Sequence, residues 1–296
     1  EVAANYRVQA GEILNCLGDP RNLDELIEIP GGESLIGITE SELVWIEQKY
    51  GKYSRKLFEN ALPQHVIDVP SFFVSKYPVT HRLFRDFVTS GGYHEIRWWG
   101  FSTEAEKFRR SLKEKYPVSR LDPRWNVDNL PILGVSWYEA VAFCNWLTYK
   151  WRNEGKLDQN ECVRLPTEAE WEKAASWSWY KQNKLFFPWG NEYDDMLINF
   201  ERMVERNLPV GAYPDDSPYG VRDMVSNNWE WCQSEYREYP YHFDYRENLS
   251  GQKFRILRGG VWSLYPVNTA CAIRYFEGAD MRDSAFGFRY VKSQID

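Results

Sequence analysis

The chain has 296 residues, enough for one large domain or two of ordinary size. Hydrophobic residues make up 43% of it and aromatic residues 17%, which is ample for a packed core and excludes a disordered chain. The net charge of −7 disfavours nucleic acid as a partner, because a phosphate backbone would be repelled. No run of about 18 apolar residues occurs, so we expect no membrane span.

The first residues predict a helix. Residues 1–22 form an amphipathic pattern that ends at Gly18-Asp19-Pro20, with Val8, Ile13, Leu14 and Leu17 as its apolar face. This helix is either the last one of an upstream region or a short helix that packs on the domain. We assign residues 1–25 to the tail of an upstream region, with fusion to an upstream effector domain as a hypothesis, and residues 26–296 to a single domain.

The next elements are short. Residues 26–38 predict a hairpin around Pro30-Gly31-Gly32, and residues 65–80 alternate as a strand does. Thr80 then predicts the N-cap of a helix. Residues 102–116 predict a charged, solvated helix.

Two capping boxes mark the following helices. Ser136 with Glu139, and Thr167 with Glu170, place a hydroxyl and a carboxylate three residues apart in front of an apolar run. After about residue 178 only short apolar pieces remain, separated by Gly, Pro, Asn and Asp. Helices first and irregular strands later predict an α+β fold rather than an alternating parallel sheet.

Cysteine and histidine usage limits the metal chemistry. The wide cysteine spacing without a C-x-x-C pair favours reduced, buried thiols in a cytoplasmic protein, and a disulfide is the alternative. Of the four His residues, no two have the spacing of metal ligands, so no zinc site is expected. The cysteines are Cys16, Cys144, Cys162, Cys232 and Cys271.

A series of motifs now carries a family resemblance. In order they read EIPGG, FFVSKYPVT, PILGVSWYEAVAFCNWL, VRLPTEAEWEKAA, FPWGN, PVGAYPDDSPYGVRDMVSNNWEWC, RILRGGVW and GFR. From about residue 26 to 292 the chain resembles the formylglycine-generating enzyme (sulfatase-modifying factor) family. The resemblance implies a C-type-lectin-like α+β fold with short twisted antiparallel sheets, two main helices and much loop.

The same resemblance argues against the chemistry of the family's oxidases. They use a cysteine pair that binds copper in the segment after Gly-Gly, and here residues 260–268 contain no cysteine, while Cys271 stands alone. Another branch helps form iron sites in sulfoxide synthases acting on histidine derivatives, but the His-x3-Glu-x-His pattern of its partner domain is absent here. An acid–base site among Asp215, Asp216 and Asp223 stays an alternative.

The C-terminal segment resembles the variable proteins of diversity-generating retroelements. It begins at Arg258-Gly259-Gly260, ends at Gly287-Phe288-Arg289 and encloses irregular residues 261–285. We expect Trp262 and Phe288 to anchor its ends and the side chains between to face solvent. The candidate ligand-binding residues are Val261, Ser263, Leu264, Tyr265, Val267, Ile273, Tyr275, Glu277, Met281, Asp283, Ser284 and Ala285.

The resemblance therefore implies a non-catalytic protein that binds an unknown protein or small molecule through a diversified surface. The alternatives are a fixed-ligand or scaffold module and a copper-dependent oxidase, which the missing cysteine pair disfavours. The motif SNNWEWC further resembles a calcium-binding motif of the family's oxidases. It implies a structural calcium ion held by Asn227, Asn228 and Glu230, whose oxygens are hard ligands.

Overall fold

The computed structural model describes residues 4–113, 117, 127–194, 197, 207–213, 216–243, 245–250, 254–261 and 266–295. Within these ranges the helices are α1 (Ala4–Leu17), α2 (Glu40–Tyr50), α3 (Lys52–Phe58), α4 (His81–Thr89), α5 (Thr103–Ser111), α6 (Trp137–Asn153) and α7 (Glu168–Ser176). The strands are β1 (Leu26–Ile29), β2 (Gly32–Ile36), β3 (His65–Val69), β4 (Phe72–Ser75), β5 (Glu161–Arg164), β6 (Trp177–Ser178), β7 (Asn183–Lys184), β8 (Trp229–Glu235), β9 (Phe254–Arg258), β10 (Tyr275–Gly278), β11 (Phe286–Gly287) and β12 (Val291–Gln294). The predicted α+β class is confirmed.

Two four-stranded sheets organise the domain. One has the order β1-β4-β12-β5, so the C-terminal strand lies between an early strand and a middle strand. The other has the order β10-β9-β8-β11, which places β10 at an edge. Strand β10 pairs antiparallel with β9, with Tyr275 opposite Leu257 and Glu277 opposite Arg255. Residues 275–278 of the C-terminal segment therefore form the exposed border of a sheet.

The predicted hairpin at residues 26–38 is wrong, because its two strands enter different sheets. Strand β1 pairs with β4, whereas β2 pairs with β3. A Cβ on Gly31 would lie 3.0 Å from the backbone nitrogen of Ser71, so the turn between β1 and β2 packs against the turn between β3 and β4. The predicted strand at residues 65–80 is interrupted between β3 and β4, where Pro70 lacks the backbone N–H that continuous strand pairing needs.

The helix starts agree with the local signals. Both predicted capping boxes are present, at Ser136 with Glu139 and at Thr167 with Glu170. Thr80 is the N-cap of α4, although its side chain makes no capping bond. Helices α2 and α3 were not predicted, and α2 begins with a further capping box between Thr39 and Glu42. The domain is therefore richer in helix than the predicted two main helices.

The N-terminal helix lies against the domain. Val8 packs with Leu208, Ala212 and Tyr213. The side chain of Asn129 donates to the Gly11 carbonyl over 2.9 Å. Of the predicted apolar face Val8 is buried, while Ile13 and Leu17 are exposed. These contacts agree with the alternative of a short helix packed on the domain, and the boundary at residue 25 stays a prediction.

The five cysteines are free thiols, and Cys144, Cys232 and Cys271 are buried. Burial raises the pKa of the Cys144 and Cys232 thiols well above the usual range. They are therefore neutral and unsuited to nucleophilic or metal-binding roles. Among the described residues, no helix is both long enough and apolar enough to cross a membrane.

Candidate functional site

Buried arginines hold the two ends of the C-terminal segment. Arg258 pairs with Glu172 over 2.5 Å, and Arg289 pairs with Glu230 over 2.6 Å; all four side chains are inaccessible to solvent. Gly260 has φ +98°, and a Cβ there would come within 2.7 Å of the Asn268 carbonyl oxygen. Only glycine fits this turn. Phe288 is buried as expected, whereas Trp262 lies outside the described residues.

The residues of the predicted calcium site are occupied by contacts within the protein. Both carboxylate oxygens of Glu230 accept bonds from Arg289, and Oε2 also accepts from the Trp171 indole over 2.7 Å. The Asn227 side-chain oxygen accepts from the Leu208 backbone amide. Asn228 Oδ1 is buried without a hydrogen-bond partner. A calcium ion would have to displace Arg289, so these contacts do not fit the ion, and calcium binding stays a prediction.

The aspartates of the alternative acid–base site have separate roles. Asp216 pairs with Arg222, and Asp223 Oδ2 accepts from the Gly211 amide over 2.7 Å. Burial raises the pKa of Asp223 to about 6. Asp215 lies outside the described residues. These separate partners give no support to joint acid–base work by Asp216 and Asp223.

The segment between the arginines is only partly exposed. Val261, Val267 and Ile273 are buried, so the expectation that these side chains face solvent is wrong. Their burial has a simple cause, since all three are apolar and join the main core cluster. Ser263, Leu264 and Tyr265 lie outside the described residues. The solvent-facing candidates are Tyr275, Met281, Asp283 and Ser284, with Glu277 and Ala285 half-buried.

One face of β10 carries a tyrosine and a carboxylate. The Tyr275 ring lies against Trp229 with a centroid distance of 5.3 Å, which leaves 39% of the residue exposed. Its hydroxyl donates to Glu277 Oε1 over 2.7 Å. Burial and this carboxylate raise the pKa of Tyr275 to about 12, so the hydroxyl keeps its proton. The bond fixes the orientation of a carboxylate that remains accessible to a ligand.

The other face of β10 carries a stack of rings. Phe276 lies on Tyr236 at a centroid distance of 3.9 Å and an interplanar angle of 29°. Phe254, at the start of β9, meets Phe276 edge to face at 5.7 Å. Tyr236 follows the end of β8, and its backbone amide donates to the Phe254 carbonyl. Sequence reasoning missed Tyr236 and Phe254, because only the sheet order brings them beside β10.

We call these five residues, Tyr236, Phe254, Tyr275, Phe276 and Glu277, the β10 rim. Its two faces differ: Tyr275 and Glu277 place a partly exposed ring beside an oriented carboxylate on one face of β10, and the other three rings pack together on the opposite face. Aromatic rings attract cations through their quadrupole, and quaternary ammonium groups are the best-known ligands of such sites. The geometry therefore suits a small ligand with a positively charged group.

The described residues contain no cluster for a metal ion beside the rim. Among the described residues, no group of three or more His, Cys, Asp or Glu side chains is arranged to hold one. The iron site that the resemblance implies for sulfoxide synthases thus finds no ligand set in these residues. What the rim supplies is binding and orientation of a ligand.

Comparison with known proteins identifies relatives that are enzymes. A family model described as Sulfatase-modifying factor enzyme 1-like domain matches residues 16–294. The hercynine oxygenase of Mycolicibacterium smegmatis is 29% identical in an alignment covering 84% of this chain and 56% of that protein. The hercynine oxygenase of Mycobacterium tuberculosis is 31% identical, with coverages of 78% and 55%. The chain thus spans about half the length of these relatives.

A solved structure shows the fold. Treponema denticola variable protein 1 aligns with a TM-score of 0.57 at 19% identity, covering 90% of this chain and 94% of that chain. The predicted architecture is confirmed, but a likeness at this identity shows the fold alone. The enzyme relatives are similar in sequence over most of the chain. The prediction of a non-catalytic ligand-binding protein with a diversified surface is therefore wrong.

Proposed function

The chain belongs to the sulfatase-modifying factor enzyme 1-like domain family, and we propose that it forms the substrate-binding part of an oxygenase for a small cationic substrate of the hercynine type. Support comes first from the sequence similarity to two hercynine oxygenases. The observation that carries the proposal is the β10 rim, where Tyr275 holds the Glu277 carboxylate beside its own partly exposed ring.

The chemistry of hercynine matches this rim. Hercynine is a betaine of histidine, with a trimethylammonium group that cannot donate hydrogen bonds. Such a group is bound by aromatic faces and a nearby negative charge rather than by directed hydrogen bonds. The partly exposed ring of Tyr275 would supply the aromatic face, and Glu277 on the same face of β10 would supply the charge. Tyr275 would keep the carboxylate pointing outward, so that little rotamer freedom is lost on binding.

The proposal assigns binding and orientation to this chain and derives no step through a metal. Because the described residues do not fit an iron site, an oxygenase built on this chain would draw its metal ligands from residues outside the described ranges. The relatives contain almost as much protein again as the part that aligns here. Substrate turnover by the whole protein therefore stays part of the proposal.

Calorimetric titration of hercynine into the protein and its Glu277→Gln variant tests the proposal. The variant keeps the shape and the hydrogen bond with Tyr275 but removes the charge, so we expect Kd to rise about tenfold or more. Glu33→Gln, on the exposed start of β2, is the matched control and should bind as the wild type does. Equal affinity in all three proteins, or no binding to the wild type, would refute the proposal.

A further inference from the structure

Directly before β10 stands a buried arginine that touches several separate segments. The Nε and Nη2 atoms of Arg274 donate to the two carboxylate oxygens of Glu168, at 2.6 and 2.9 Å. Its Nη1 donates to the carbonyl of Asn60, and the Asn60 side chain donates back to the Arg274 carbonyl over 3.1 Å. Both the side chain and the backbone of Arg274 are thus held from the side of the core.

The same guanidinium reaches the loop that carries Tyr236. Its Nη2 also donates to the carbonyl of Arg237 over 2.8 Å. The guanidinium carbon lies 3.8 Å from the ring centroid of Tyr239 and 5.3 Å from that of Tyr236. Arg274 therefore joins the start of β10 to the loop after β8, which are the two elements whose rings stack in the rim.

No other cationic side chain could make this set of contacts. A planar guanidinium presents five donors in a fixed fork and two flat faces, so it can pair with a carboxylate, bond two carbonyls and stack on rings together. A lysine in the same place could pair with Glu168 but has neither the fork nor the faces. The contacts thus demand an arginine and not merely a positive charge.

We infer that Arg274 is a positioning residue of the rim: it ties β10 to the loop after β8, and so sets the place of Tyr275 and Glu277, which would meet the ligand's cationic group. Contact with the ligand is not needed for this effect, because Arg274 acts through the loop after β8 and through β10. The inference rests on the proposed function for the identity of the ligand, whereas the link between Arg274 and the Tyr236 ring can be measured without any ligand.

The test compares Arg274→Lys with Arg164→Lys. Arg164 is a matched control, since it also pairs bidentately with a glutamate of α7, namely Glu170, at 2.7 Å for both bonds. Each protein carries 3-fluorotyrosine at position 236, and its ¹⁹F resonance is recorded without ligand. Hercynine affinity is then measured by calorimetry, and the melting temperature is recorded alongside.

We expect Arg274→Lys to shift the Tyr236 resonance and to weaken hercynine binding about tenfold, because a β10 displaced from the loop after β8 no longer holds Tyr275 and Glu277 where they fit the cation. Arg164→Lys should leave both unchanged even if its melting temperature falls as far. An unaltered resonance and affinity in Arg274→Lys would overturn the inference. Failure of the wild type to bind hercynine would refute the proposed function only, since the ¹⁹F comparison still decides the role of Arg274.

A second variant covers the case in which Arg274→Lys does not fold. Asn60→Ala removes only the bond to the Arg274 carbonyl and keeps the backbone oxygen that accepts from the guanidinium. A shift of the Tyr236 resonance away from its wild-type position supports the inference. An unchanged resonance in this variant counts against it.

Discussion

The ends of the C-terminal segment and the rim residues Tyr275 and Glu277 lie within the same stretch of chain but differ in how they use charge. At the ends, Arg258 and Arg289 are fully buried and each is paired with a buried carboxylate. At the rim, the partner of the Glu277 carboxylate among the described residues is the Tyr275 hydroxyl, and the carboxylate remains accessible. Charged groups that are completely paired inside the protein stabilise the fold, whereas an oriented and unpaired charge at the surface is available to a ligand.

The largest expected loss of stability comes from removing a buried arginine at one end of the C-terminal segment. Arg289→Ala leaves the Glu230 carboxylate buried without its charged partner, which typically costs about 3–5 kcal/mol of folding free energy. Urea unfolding measures this loss. Arg110→Ala, which removes an exposed pair with Glu106 in α5, is the control and should cost about 1 kcal/mol or less. Similar losses in the two variants would contradict the structural role of the buried pair.

A backbone change at the other end of the segment should have the next largest effect on stability. Gly260→Ala forces a Cβ to within 2.7 Å of a carbonyl oxygen at φ +98°, so we expect a loss of about 2–4 kcal/mol in urea unfolding. Gly155→Ala is the control, because φ there is +68° and nothing lies within 4 Å of the added Cβ. It should cost about 1 kcal/mol. If both cost the same, the close approach at Gly260 has no energetic consequence.

Among the described residues, the buried carboxylate of Glu247 has no cationic hydrogen-bond partner, which predicts a pH dependence of stability. Glu247 accepts from Ser234 and Tyr241, and burial raises its pKa from 4.5 to about 7. Because the folded protein holds this proton more tightly than the unfolded chain, the stability from Glu247 is complete below about pH 4.5 and is lost as the pH rises through 7. The wild type should therefore lose about 1–3 kcal/mol relative to Glu247→Gln across this range.

Urea unfolding of both proteins at several pH values measures the difference. The Glu247→Gln variant removes this titration and leaves the other titrating groups in place, Asp223 among them. Parallel stability curves for the two proteins between pH 4.5 and 7 would show that Glu247 does not titrate in this range.

The smallest expected change in stability is at the rim. Glu277→Gln should alter the free energy of unfolding by less than about 0.5 kcal/mol, because the side chain is half-exposed and, within the described ranges, bonded only to the Tyr275 hydroxyl. A urea unfolding curve beside that of Arg289→Ala places the two regions on one scale. A loss above about 2 kcal/mol would mean that Glu277 belongs to the structural part of the segment.

Local signals were enough to predict several elements of the fold. The capping boxes that begin α6 and α7 follow from residues three apart, and both are present. The hairpin at residues 26–38 failed because strand partners are chosen by distant chain: β1 needs β4, and β2 needs β3. A short apolar run indicates a strand but carries no information on which sheet it joins.

The site was predictable only in part, because its arrangement also depends on which strands pair. Tyr275 and Glu277 were identified as candidates, but the arrangement of Tyr236 and Phe254 beside Phe276 depends on the order β10-β9-β8. Val261, Val267 and Ile273 are buried, since a segment without clear alternation does not reveal which side chains face the core. Resemblance to variable proteins therefore identified the frame of the segment and assigned it the wrong function.

The most direct test of the central claim compares hercynine with histidine as ligands of the wild-type protein at pH 7, by calorimetry. The two differ in the three methyl groups on nitrogen, which make the cation bulkier and less strongly hydrated. If the β10 rim binds the cation through ring faces, hercynine should bind about three- to thirtyfold more tightly than histidine. Equal affinity for the two compounds would contradict recognition of a quaternary ammonium group by the rim.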